Sequence, residues 1–308
     1  MGGHSSTNMK KAFHLILFCL YHYITFGQLP TVSFENLQSH NLKGKVKLVK
    51  TCSFNANKLN DAIVKTTKGW QYTWEHDMEL FFNTEGNLEL KKALKNGTTS
   101  VSYAIKVDDK NRIVQIKEND LTYNIKYDSL NRILAAKEIN HYRQIETDFV
   151  FQYNTKNNLV NKEEYLSKQL ISTETYTYDS LNNLIKIHYE KGPYIEIESF
   201  EYDNENQLVK YEWYDNEEGI AEITTYQYVN KQKTFEHWLD YEDGEPDGYI
   251  DYTYENGNII ETKEIDRNGE ILVHEFNAYE YDSQGNWVKM IIDDDGNYFI
   301  VERTISYY

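Results

Sequence analysis

The chain has 308 residues, with 49 acidic side chains against 32 Lys and Arg and a net charge of −17. That balance argues against a nucleic-acid partner, because phosphate neutralisation needs clustered Lys and Arg. Two cysteines exclude a disulfide-stapled mini-domain and a Cys-rich zinc module, while 40% hydrophobic and 15% aromatic residues suffice to bury a core.

The N-terminus reads as an address. Residues 1–8 are a polar extension, Met9 begins a better-formed segment, and Lys10 and Lys11 give it a basic start. Residues 12–26 then carry no Asp, Glu, Lys or Arg. Such a run has the length of a signal-peptide apolar region and is too short to span a bilayer. Gly27 supplies the small residue for cleavage. No small residue precedes Cys19 (Ile16, Leu17 and Phe18 do), so lipid anchoring at that cysteine is not expected. Cleavage after residue 27 leaves a chain of net charge −19 with Cys52 as its one thiol, expected to be a half-buried strand residue. Residues 1–27 are therefore assigned as extension plus export signal, 28–75 as an N-terminal cap, and 76–308 as the main domain. The expected location is periplasmic, outer-membrane associated or extracellular. No later segment approaches membrane-spanning length.

Within the cap, residues 57–67 are the best helical candidate, since Leu59, Ile63 and Val64 fit one short face; a loop is the alternative reading.

From residue 82 onward the chain repeats. YDSLNRI at 127–133 recurs as YNTKNNL at 153–159, YDSLNNL at 178–184, YDNENQL at 202–208, YENGNII at 254–260 and YDSQGNW at 281–287. Weaker copies begin at 82 and 107, and a decayed one, YVNKQKT, begins at 228. Nine copies at a spacing near 25 residues define one structural unit used repeatedly. The residues before each copy alternate: Glu196, Glu198, Phe200 and Tyr202 fall on one face, Ile195, Ile197, Ser199 and Glu201 on the other. The Asp-Ser-Leu-Asn centre is turn chemistry, because Asp and Asn capture nearby backbone and Asn or Gly accepts positive φ. A second turn falls midway through many units, as at 215–219, 243–248, 266–269 and 293–296. Only three prolines occur, with Pro193 and Pro246 in predicted turns. The expected fold is all-β: an antiparallel β-hairpin repeat array of about eighteen strands, coiled, barrel-like or solenoidal, closed by residues 302–308.

The Tyr-Asp-x-x-Gly/Asn-x-Leu/Ile core resembles the YD repeat of the Rhs family, found also in teneurins and insecticidal toxin-complex shells. The resemblance covers residues 75–308, and its terminal unit looks most like short secreted YD-repeat proteins of Bacteroidetes. It implies β-hairpins spiralling into a hollow shell, which in large members surrounds a toxic cargo. This chain departs from those members. The Gly and Arg that usually precede the tyrosine-rich strand are mostly missing, as is the self-cleavage motif. The last repeat runs to Tyr308, so toxin delivery is not expected.

Candidate chemistry is sparse. His40, His76, His141, His188, His237 and His274 show neither the i, i+4 spacing of a helical zinc site nor an H-E-x-x-H motif. There is no G-x-S-x-G elbow or phosphate-binding glycine loop. The acidic turns at 242–245 and 293–297 follow no calcium-loop spacing, so no metal or cofactor is expected. The tyrosines should stack as ladders along the sheet. Trp213, Trp238 and Trp287, near strand ends in separate units, are the candidate binding residues of an aromatic face. The expectation is a non-enzymatic, exported structural or binding module with a protein or glycan partner. The alternatives are a carbohydrate-binding protein using that Tyr/Trp face, and a hydrolase whose site is dispersed over several strands.

Overall fold

A computed structural model describes residues 35–68, 77–95, 98–217, 219–240 and 246–308. The export signal expected over 1–27, the residues Trp70, Trp74 and His76, and the acidic turn at 242–245 lie outside the described residues. The described chain is all strand and turn. Its strands are β1 (Val46–Leu59), β2 (Ala62–Lys68), β3 (Met78–Phe82), β4 (Leu88–Lys95), β5 (Thr98–Val107), β6 (Ile113–Glu118) and β7 (Leu121–Tyr127). These are followed by β8 (Ile133–Asn140), β9 (Ile145–Tyr153), β10 (Leu159–Leu166), β11 (Gln169–Tyr178), β12 (Leu184–Lys191), β13 (Tyr194–Tyr202) and β14 (Leu208–Asp215). The last are β15 (Gly219–Val229), β16 (Gln232–Asp240), β17 (Pro246–Glu255), β18 (Asn258–Asp266), β19 (Ile271–Tyr281), β20 (Trp287–Asp294) and β21 (Asn297–Tyr307).

From β3 to β21 each strand pairs antiparallel with the next, and β1 closes the circuit. It pairs with β21 over residues 46–56 and, on its other edge, with β3 over residues 48–51. The result is a closed ring of 20 strands. The outer half of β1 pairs with β2, so residues 57–67 form a strand hairpin rather than a helix or loop. Ala62, Val64 and Thr66 alternate with Ile63, Lys65 and Thr67 there, and Val and Thr favour the pleated backbone, so period two wins over a weak helical face. Pro246 likewise opens β17 instead of lying in a turn, at a strand-first position where its missing N–H is tolerated.

The turn of five of the six strong repeats is built around its Asp or Asn. Asp128 Oδ1 accepts the backbone N–H of Leu130 at 2.8 Å and of Arg132 at 3.0 Å, and Asn131 takes φ 63°. A type I turn followed by one left-handed residue makes a bulge, seen as a register shift between Lys126 and Tyr127. The same arrangement recurs at Asp108, Asn154, Asp179, Asp203 and Asp282. The decayed copy at 228–234 and the copy at 254–260 have a different device: Asn230 with Lys231, and Asn256 with Gly257, are both left-handed, giving two-residue hairpin turns.

Adjacent turns are stitched together. Arg112 Nη1 donates to Asn131 Oδ1 at 3.0 Å, Arg132 Nη1 to Asn157 Oδ1 at 3.0 Å, and Asn183 Nδ2 to Asn206 Oδ1 at 3.1 Å. The left-handed position therefore needs more than conformational freedom. Asn supplies an acceptor that Gly lacks. Two motif tyrosines add a second tie: Tyr127 OH donates to the Ile113 carbonyl at 2.8 Å, and Tyr153 OH to the Ile133 carbonyl at 3.0 Å. Arg112 and Arg132 cover those rings at 4.7 Å.

One face of the ring must be its interior, since a single sheet offers no other layer to bury it. Tyr123, Ile116, Ile125, Phe149 and Phe151 lie on that face at 5% exposure or less. They belong to a cluster drawn from β1 and β3–β10, whereas β12–β15 contribute only Leu184, Phe200, Tyr211 and Tyr226 to a second cluster. The concave face is thus tightly packed and apolar on one side, whereas over β11–β16 buried residues such as Phe200, Tyr211 and Thr224 are interspersed with half-buried ones such as Glu198, Trp213 and Trp238.

A strap, residues 35–45, seals the junction of first and last repeats. Leu37 N–H donates to the Gly86 carbonyl, and Leu88 N–H to the Glu35 carbonyl. Asn286, 2% exposed, accepts the Lys43 N–H at 2.7 Å and donates to the Lys43 carbonyl at 2.9 Å and to Tyr307 OH at 2.7 Å. Replacing it strands several buried partners. Asn286→Ala is expected to cost roughly 3 kcal/mol, against about 1 or less for Asn158→Ala on an ordinary rim turn. Thermal unfolding of the two variants, compared with wild type, checks the difference.

Candidate functional site

The half-buried stretch of the concave face gathers acids and aromatics in transverse rows. Register across β10–β14 aligns Lys162, Glu174, Tyr189, Glu196 and Asp215. The neighbouring row over β11–β15 runs Tyr176, Ile187, Glu198, Trp213 and Glu222. A third, over β13–β17, runs Phe200, Tyr211, Thr224, Trp238 and Gly248. Trp213 and Trp238 thus flank β15 on one face, offset by two residues, with backbones two strands or about 10 Å apart. Gly248 is required where it stands: with φ at 145°, a Cβ there would collide with the Ile265 carbonyl.

The carboxylates are individually positioned. Thr224 Oγ1 donates to Glu222 Oε1 at 2.6 Å, Tyr194 OH to Glu196 Oε2 at 3.3 Å, and Tyr176 OH bonds Glu174. Glu174 also pairs with Lys162, which is 4% exposed. Burial, then repulsion from Glu196, pushes the Glu198 carboxyl up to about 7, against a hydrogen bond from Tyr211. Farther along, Lys233 and Glu236 pair at 2.8 Å with both side chains 11% exposed. Burial lowers Lys233 to about 8 and raises Glu236, so desolvation outweighs their mutual attraction for both partners. Tyr252 donates to Glu236 at 3.3 Å, and its ring lies 4.8 Å from the Lys233 ammonium.

Trp287 is not part of this stretch. It opens β20 beside Tyr279 and Tyr281, is 8% exposed, and lies 3.3 Å beneath the Arg303 guanidinium. The structure therefore brings Trp213 and Trp238 together and leaves Trp287 in a separate packed cluster. The inward acids Glu196, Glu198 and Glu222 carry no motif and were not among the sequence candidates. Their one signal is period: each precedes a motif tyrosine by an even number of residues and so shares its face.

The remaining polar groups have local uses. Glu35 bonds His40 at 2.7 Å, Glu261 bonds His274 at 2.9 Å, and Thr122 bonds His141 at 2.9 Å. In the turn at 293–297, Asp293 Oδ1 accepts the Gly296 N–H at 2.9 Å. Cys52 is a half-buried residue of β1, and no metal-binding group of His, Cys, Asp and Glu occurs among the described residues. An aromatic platform beside fixed carboxylates can hold a sugar ring by its face and accept its hydroxyls, or enclose a cation.

No protein-family model and no curated protein matches this chain. Among solved structures it is similar to a TcdB2-TccC3-TEV crystal structure, at 13% identity and TM-score 0.43, covering 86% of this chain and 17% of that one. A TcdB2-TccC3 structure without its hypervariable C-terminal region gives 11% identity and TM-score 0.27, covering 83% and 20%. A porin-like protein from Bacteroides uniformis gives 13% identity and TM-score 0.32, covering 86% and 98%. The chain spans about a sixth of the length of the TcdB2-TccC3-TEV and TcdB2-TccC3-Cdc42 chains. Its own repeats and closed ring define the class: a closed antiparallel β-hairpin repeat barrel.

The raised carboxyl of Glu198 makes a signed prediction. With its pKa raised from an ordinary 4.5 to about 7, folding is favoured while it stays protonated, and stability falls as pH rises through that window. Glu198→Gln should flatten the fall and add about 2 kcal/mol at pH 8. Denaturant melts at pH 4.5, 6 and 8 read this directly.

Proposed function

We propose that this protein is an exported, non-enzymatic β-barrel module that acts at the cell envelope or outside the cell, holding a partner. The observation that carries the reading is the half-buried concave face, where aromatic rings and fixed carboxylates line one side of a ring whose turns are tied to one another. The N-terminal export pattern supports the location. Outward strand positions are charged and paired, as in Lys137–Glu146 at 2.8 Å and Lys289–Glu280 at 2.6 Å. That surface suits water better than the apolar belt of a lipid-facing barrel. No helix among the described residues is long and apolar enough to cross a membrane.

Carbohydrate binding is the second reading, favoured by Trp213 and Trp238 sharing the concave face. Rigid amphipathic rings give contact area at low entropic cost. The same residues are compatible with a protein partner that inserts a side chain.

The test uses the mature chain on a glycan array and in pull-downs from an envelope fraction, with Trp213→Ala and Trp238→Ala beside wild type. A ligand whose signal falls at least tenfold in both variants supports binding through this face. No ligand above background in either assay sinks the binding reading. Cell fractionation with mass measurement of the mature N-terminus checks export; an uncleaved chain retained in the cytoplasm overturns it.

A further inference from the structure

Every strand of the ring pairs on both sides, but β2 lies outside the circuit. On the edge of β1 away from β21, β3 takes residues 48–51 and β2 takes residues 54–59. Among the described residues β2 is the one strand with a single partner, and six of its seven residues are exposed. Only two residues, Asn60 and Asp61, join Leu59 to Ala62, so Leu59–Ala62 and Asn57–Val64 are the hydrogen-bonded pairs of this hairpin. The N–H and C=O groups of Ile63 and Lys65 therefore point to the open side. Lysines commonly guard such an edge by charge. Here both lysines are engaged elsewhere. Lys65 reaches across β1 to Glu302 on β21 at 2.8 Å, passing 4.6 Å from the Phe54 ring, and Lys68 pairs with Asp77. The other side chains of β2 are Ala62, Ile63, Val64, Thr66 and Thr67, small or β-branched and suited to a pleated backbone.

We infer that β2 is a self-association edge, pairing antiparallel with β2 of a second copy of this chain so that one sheet runs between two barrels. Closure selects the occupant: a second copy offers its own β2 as the strand with an open side, and a two-fold axis makes that contact self-complementary. The outward groups of Ile63 and Lys65 also limit the register. An axis at Lys65 would set two lysines directly opposite, which is unfavourable. An axis at Ile63 would draw the turn residue Asp61 into the ladder. An axis at Val64 avoids both: Ile63 exchanges bonds with Lys65 of the second copy, Ala62 faces Thr66, and Lys65 lies diagonal to Asp61. That register also covers Val64, which is 41% exposed. About four main-chain bonds form, and so short an edge buries less than the roughly 1,200 Å² of a stable interface, so the association is weak and reversible. Neither Trp213 nor Trp238 takes part, so it stands apart from binding on the concave face.

Sedimentation velocity of the purified protein, from micromolar to millimolar, reads the association directly. Added salt of about 0.3 M screens the repulsion between two chains of charge −17. A concentration-dependent monomer–dimer equilibrium is expected. Lys65→Pro removes one outward N–H and none of the bonds to β1, and should weaken the dimer at least tenfold. Lys65→Ala loses the same ion pair with Glu302 but keeps the N–H, and should dimerise like wild type. Register is read by cross-linking in a glutathione redox buffer. Val64→Cys places two thiols in a non-hydrogen-bonded pair with Cα atoms about 4.5 Å apart, within disulfide reach, and should form a covalent dimer. Thr66→Cys, four residues out of step with its copy, should not. Far-UV circular dichroism establishes that each variant is folded, and if Lys65→Pro is not, the two cysteine variants decide. A wild-type chain that stays monomeric to millimolar concentration, unchanged association in a folded Lys65→Pro, or equal cross-linking of Val64→Cys and Thr66→Cys would each overturn the assignment.

Discussion

The rest of the structure depends on one interaction, the capture of two backbone N–H groups by the carboxylate or amide of the Asp or Asn that opens most of the repeat turns. At Asp108 and Asp128 this fixes a tight turn, and Arg112 and Arg132 then bond the same carboxylates at 2.7 Å. These bonds hold both aspartates below the usual carboxylate range. The captured turn forces a left-handed residue three positions later, and that residue creates the bulge that sets strand register. A slip of one residue would turn every side chain to the other face, so the turn also decides what the barrel encloses.

Repetition then makes closure achievable. From the turn at 108–112 to that at 203–207, each turn donates to the next through Arg or Asn, so this part of the rim is a hydrogen-bonded chain. The seam cannot copy this pattern, as its two neighbours come from opposite ends of the sequence. The strap and Asn286 replace it with bonds to a separate segment, and Tyr308 OH adds one to the Phe82 carbonyl at 2.6 Å. Closure removes free edges along the ring, which is how an array of short strands avoids pairing with other chains.

The concave face has two characters, and their contrast is energetic. Where Tyr123, Ile116 and Phe149 meet, burial is complete and apolar. Where Glu198, Lys233 and Glu236 face inward, burial works against charge, and their shifted titration records that tension. A face optimised only for stability would carry aliphatic residues at those positions. The acids there are the strongest physical reason to look for a ligand on this side of the ring.

Much of this was legible in the sequence. The period near 25, the alternation around Tyr202 and the Asp-x-x-Asn turns determine strand, turn and bulge, because those are local properties of backbone and side chain. The alternation even placed Glu196 and Glu198 beside Phe200 and Tyr202. It did not show residues 57–67 as strand, since that hairpin is held by pairing within a sheet that also engages β21, hundreds of residues away. Nor could it show that Trp287 lies under Arg303, or that Trp213 and Trp238 share one face. Those facts depend on how many strands complete the ring and which side curves inward. Sequence alone determined the unit; only tertiary closure decided its inside from its outside, because burial is a property of the whole ring and not of any one hairpin.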